Sequence, residues 1–206
     1  MTDFFTHCCK SALLRAALAL AVLISVPLAR AQTPTEVSQF RMERAADGIA
    51  LSAVLQFDVP AAVEDALVKG IPMVFVQSAD ITRERWYWYD KRVLAAERHL
   101  RLAYQPLTRR WRLNVNAGPG GGAGVGMALN QSFDTLSQAL VGIKRVSLWR
   151  IAEVSELEPG VKYKVEFRFR LDLGQLPRPF QIGALGDSDW DIGAALSIPF
   201  SLESVK

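Results

Sequence analysis

The residues of this chain best suited to recognition are Arg83-Glu84-Arg85-Trp86-Tyr87-Trp88-Tyr89-Asp90-Lys91-Arg92. On a strand, Trp86 and Trp88 share one face, and Tyr87 and Tyr89 share the other. A sheet facing a core hides only one of these pairs. The other pair is covered by local chain, stacked by arginine, or open to a partner. Aromatic and arginine side chains dominate binding energies because they carry large contact area and directional polar groups. Arg83, Arg85, Trp86, Tyr87, Trp88, Tyr89 and Arg92 therefore form the candidate interaction surface. Burial of the rings as ordinary core is the plainer reading of the same residues.

Other constellations carry less chemistry. Gly118-Pro119-Gly120-Gly121-Gly122-Ala123 fits a loose dinucleotide fingerprint. The stretch before it alternates instead of being continuously apolar, and no Lys-Ser or Lys-Thr pair follows to make a phosphate loop. A plain connection is expected there. Asp187-Ser188-Asp189-Trp190-Asp191 has the first acidic spacings of a calcium loop. Its glycine, Gly193, comes one position late, and Ile198 stands where a bidentate glutamate belongs. His99 has no acid-nucleophile pattern near it. No nucleophile elbow, paired-histidine helix or cysteine cluster is present. No catalytic residue, cofactor or metal is assigned.

The elements that must position these residues are mostly strands. Ile49, Leu51, Ala53, Leu55 and Phe57 alternate with Ala50, Ser52, Val54 and Gln56, as on a strand with one buried face. Val161, Tyr163, Val165, Phe167, Phe169 and Leu171 alternate with Lys162, Lys164, Glu166, Arg168, Arg170 and Asp172 more cleanly still. Further strands are expected over Val37 to Glu43, Ile71 to Tyr89, Val93 to Tyr104, Trp111 to Val115, Val146 to Val154 and Trp190 to Leu202. Pro72 suits an edge strand or a strand start. One helix is expected between Asp58, as its cap, and Gly70. A second is expected from Phe133 to about Gly142, capped by Ser132. Leu176-Pro177-Arg178-Pro179 reads as an extended linker. The pattern predicts a mainly β domain, an antiparallel β-sandwich or strongly curved sheet with two short helices.

The N-terminus reads as a cleavable secretory leader. Lys10 and Arg15 precede an apolar run from Ala16 to Leu28, and Ala29-Arg30-Ala31 presents small residues for cleavage after Ala31. The run is shorter than the roughly 20 residues a spanning helix needs. Residues 1–31 are thus expected to be a signal peptide and 32–206 a single periplasmic domain with no membrane span. Both cysteines, Cys8 and Cys9, fall in the leader, so the mature domain is expected to be held by its core without disulfides. The whole chain carries 24 Lys and Arg against 21 Asp and Glu. The leader takes Lys10, Arg15, Arg30 and Asp3 with it, which leaves 21 basic and 20 acidic residues. Near-neutral charge, together with export, argues against a nucleic-acid partner.

One ordered set of residues carries a resemblance. Gly70-Ile71-Pro72 is followed by Arg83-x-Arg85-x-x-Trp88-x-Asp90, then by Leu102-x-Tyr104-x-x-Leu107-Thr108. Phe133-x-x-Leu136-x-x-Ala139-Leu140, Leu176-Pro177 and Asp189-Trp190 complete the order. The mature chain resembles the bacterial exported family catalogued as domain of unknown function 4390. The resemblance implies a proteobacterial envelope protein whose gene neighbours often include a membrane sensor kinase of the nitrogen-regulation type. It implies no activity and no catalytic residue. The expected function is a periplasmic binding or interaction module with an envelope protein partner, with modulation of a sensor kinase as a special case. The alternatives are an envelope hydrolase working with carboxylates and a structural part of an envelope assembly.

Overall fold

The structure is a computed structural model, and it describes residues 34–45, 48–83, 91–118, 129–184 and 188–205. Among the described residues nine strands form two antiparallel sheets. The smaller has the order β1 (Glu36–Ala45), β2 (Gly48–Gln56), β7 (Arg145–Ala152). The larger has the order β6 (Leu129–Phe133), β5 (Arg110–Ala117), β4 (Lys91–Gln105), β3 (Met73–Arg83), β8 (Tyr163–Leu171), β9 (Gly193–Phe200). Every hydrogen-bonded neighbour is antiparallel.

The two sheets share one core, as the alternation predicted. Tyr163, Val165, Phe167, Phe169 and Leu171 of β8 are buried, while Arg168 and Arg170 are exposed. From the smaller sheet come Ile49, Leu51, Ala53 and Leu55, all buried. Aromatic rings join the layers: Phe40 lies 6.2 Å from Phe167, and Phe57 packs 5.0 Å from Phe169 and 6.0 Å from Phe75. Each such pair adds about 0.5–1.5 kcal/mol beyond the area it buries. β3 sits in the middle of its sheet, and Val74 and Val76 are buried on the face opposite Phe75 and Ala79. Its near-continuous apolar run reflects that two-sided burial. Pro72 therefore marks a strand start, since the missing N–H falls just before the first ladder residue.

The described residues hold three short α-helices, one more than expected. Helix α1 (Ala61–Val68) turns Val63, Ala66 and Leu67 into the core, as the spacing required. Its N-cap is Pro60, whose carbonyl accepts from the Val63 and Glu64 N–H groups, and not Asp58. Gly70 follows it with φ +84°, a left-handed conformation that costs glycine nothing.

Helix α2 (Leu136–Lys144) starts later than expected. Ser132 and Phe133 belong to β6, where Phe133 pairs with Trp111. Thr135 is the cap, its hydroxyl accepting from the Gln138 N–H at 3.3 Å. Helix α3 (Arg178–Ala184) replaces the expected linker. The Pro177 carbonyl accepts from the Phe180 and Gln181 N–H groups, and Pro179 falls in the first turn, where no N–H is needed. No helix among the described residues is long and apolar enough to cross a membrane.

Candidate functional site

The smaller sheet and α2 leave an open groove of about 570 Å³ between them. Strand β2 and the residues after it supply Val54, Leu55, Gln56, Phe57 and Asp58. Gln39 enters from β1 at a bulge, where its φ of +49° breaks the register between Ser38 and Arg41. The other wall is the end of α2, with Val141, Lys144 and Arg145. Val141 is 59% exposed, an apolar side chain left open at the rim. The Lys144 ammonium lies 5.0 Å from the centroid of the Phe57 ring, so the ring face holds the cation over the apolar floor. The groove offers apolar surface with Lys144 and Arg145 on the α2 side and Asp58 on the β2 side, so an apolar group with a negative charge would be met by the α2 wall.

A second polar arrangement lies beneath α2. Gln77 is fully buried in β3 and faces the core. Its amide nitrogen donates to the Ile143 carbonyl at 3.2 Å, which turns its oxygen toward β4. There the Arg98 Nε–H donates to that oxygen at 2.6 Å. The guanidinium also lies 4.8 Å from the Trp149 ring centroid, and so ties the large sheet to β7. Burial lowers the Arg98 pKa to about 10. The sign is that of a disfavoured charge. Its cost to folding is fully present below that value and is relieved as pH rises toward the ordinary arginine range.

The outer face of the large sheet carries paired charges. Asp80 is nearly buried, with Arg92 Nε at 3.4 Å and Arg168 Nη1 at 3.9 Å. Arg168 also reaches the Glu166 carboxylate at 2.7 Å. Asp80 and Glu166 are cross-strand partners, so one guanidinium bridges the two carboxylates. His99 has an acidic neighbour that sequence reasoning passed over. Its Nε2 lies 2.8 Å from the Glu97 carboxylate. The signal was present as alternation, because residues two apart on a strand share a face.

Of the candidate interaction surface, Arg83 and Arg92 lie among the described residues. Arg83 donates to both Glu158 carboxylate oxygens, at 3.1 and 3.2 Å, and Arg92 pairs with Asp80. Both guanidinium groups thus have acidic partners. Arg85, Trp86, Tyr87, Trp88 and Tyr89 lie outside the described residues, between the paired positions Arg83 and Lys91. Of the glycine run, Gly118 is described, and its N–H donates to the Glu97 carbonyl at 2.7 Å. Asp187 lies outside, and Ser188–Trp190 forms a single 3₁₀ turn. Among the described residues no group of three or more His, Asp or Glu side chains is placed to hold a metal ion. Sequence reasoning missed the groove and the Gln77–Arg98–Trp149 arrangement, because each joins residues from distant strands.

Fold and groove together define a mainly β, two-sheet domain with an open, partly apolar cleft beside α2. The chain belongs to the family described as a domain of unknown function, DUF4390, which matches residues 32–197. No curated protein and no solved structure matches it significantly.

Proposed function

We propose that this chain is an exported periplasmic binding module, and that the groove between β2 and α2 is where it holds its partner. The observation that carries the reading is the pairing of an apolar floor with the basic rim residues Lys144 and Arg145. Val54, Phe57 and Val141 would take an apolar side chain, and Lys144 and Arg145 would face a carboxylate on the same segment. That complementarity favours an acidic, partly apolar stretch of an envelope protein. The leader at residues 1–31 supports export, and the family match beginning at residue 32 is consistent with cleavage after Ala31. A membrane sensor kinase is the partner that the family's gene neighbourhood favours. The segment from Arg83 to Arg92 is a second contact surface, proposed from residue type. A hydrolase working with carboxylates is the weaker reading, since Asp80 and Glu166 share Arg168.

In-cell photocrosslinking tests the groove. A photoreactive side chain at Val141 is expected to trap one envelope protein that the same group at Leu107, fully exposed in the β4–β5 turn, does not. Reversing charge at Lys144 and Arg145 should abolish that product while the melting temperature holds. Identical products from both positions, or a product indifferent to charge reversal, would overturn the proposal.

A further inference from the structure

Arg98 is a cation without an acidic partner among the described residues. Its Nε is committed to Gln77. Gln77 cannot turn away, because its nitrogen is held by the Ile143 carbonyl, a group that only accepts. Glu97, the adjacent carboxylate, points to the opposite face of β4 and is engaged by His99. The two terminal nitrogens of the guanidinium fork therefore have no counter-ion from the described residues.

The register shows where an anion would enter. At this level the core-side row across the large sheet runs Phe169, Gln77, Arg98, Ala117. Phe169 and Gln77 are buried, whereas Ala117 is exposed. Beyond Ala117 no further strand among the described residues pairs at this level, since β6 pairs with β5 as far as Val115 and Leu129. The row is thus closed on one side by aromatic core and open on the other past a single methyl group. Trp149 flanks the guanidinium from the other sheet.

We infer that Arg98 is an anion-binding site built into the seam between the sheets, and that its ligand is a carboxylate. A planar carboxylate matches the in-plane fork with two parallel hydrogen bonds. The ring contact and the Gln77 bond hold the fork in one orientation, so little freedom is lost on binding. A half-buried positive charge with no acidic partner among the described residues gains from such a ligand. The site uses none of the groove residues, so it stands or falls independently of the groove. The carboxylate comes either from a small organic acid or from an acidic side chain of a polypeptide, and the chemistry at Arg98 is the same.

Side-chain nitrogen NMR of the mature protein reads this directly. The Arg98 Nε–H and Trp149 indole signals are followed while acetate, an acetylated glutamate amide, or phosphate is added at constant ionic strength, with chloride as the control. Saturable shifts of both signals with a carboxylate, and none with chloride, are expected. Tighter binding of the glutamate amide than of acetate points to a polypeptide source, and the reverse to a small acid. Arg98→Lys keeps the charge and removes the fork, and should weaken binding by about tenfold or more. Unmoved wild-type signals would overturn the inference, as would equal binding by the lysine variant. The wild-type titration decides the matter even if the variant fails to fold. Phosphate binding as tightly as the carboxylates would overturn the assignment of ligand class.

Discussion

At the scale of single residues, the two faces of β8 make the plainest contrast. Phe167 has no exposed surface and packs against Phe40 across the sheets. Truncating it to alanine removes a buried ring and leaves a cavity that the neighbouring strands cannot close. A loss of about 3–5 kcal/mol is expected. Arg168, the next residue, is half exposed, but it is not simply solvated as the alternation implied. It touches Glu166 and Asp80. Replacing it by a neutral polar residue removes ion pairs that solvent already screens, and Asp80 keeps Arg92. A cost of no more than about 1 kcal/mol is expected. Denaturant melts of Phe167→Ala and Arg168→Gln check both values. Comparable losses would mean that β8 is buried on both faces.

At the scale of elements, the start of α2 separates two capping assignments. Ser132 lies exposed in β6, whereas the Thr135 hydroxyl accepts from the Gln138 N–H. Thr135→Ala should cost about 1 kcal/mol, and Ser132→Ala within about 0.5 kcal/mol. Thermal melts of the two variants decide it, and the reverse order would place the helix start at Ser132. The sequence did carry the right signal. Thr135-Leu136-Ser137-Gln138 has the Thr-x-x-Gln spacing of an N-terminus. Ser132 precedes an apolar residue too, and the cap nearer the apolar run was obscured by it. β8 was legible because one strand held five apolar residues in strict alternation. β6 was not, because Leu129-Asn130-Gln131-Ser132-Phe133 has no apolar period and becomes a strand only by pairing with β5. α3 was hidden by its prolines, which break a helix interior but suit a first turn.

At the scale of the whole molecule, the sequence patterns give strands without their partners. That the chain crosses from β6 of the large sheet to pair β7 with β2, and that Trp149 thereby reaches Arg98, depends on contacts between distant segments that no local period encodes. The groove arises the same way, from β1, β2 and α2 meeting at one end. At this scale local sequence also carries the expectation of a leader. The described strands start at Glu36, shortly after the leader's expected cleavage point. The family match begins at residue 32 and omits the run that holds Cys8, Cys9 and the apolar stretch from Ala16 to Leu28. A leader is read by charge, apolar length and small residues at the cut, which here would be Lys10 and Arg15, the run from Ala16 to Leu28, and Ala29-Arg30-Ala31. Mass measurement of the exported protein should give a chain beginning at Gln32. A full-length chain recovered from the cytoplasm as the sole species would contradict export, and with it the envelope partner proposed for the groove.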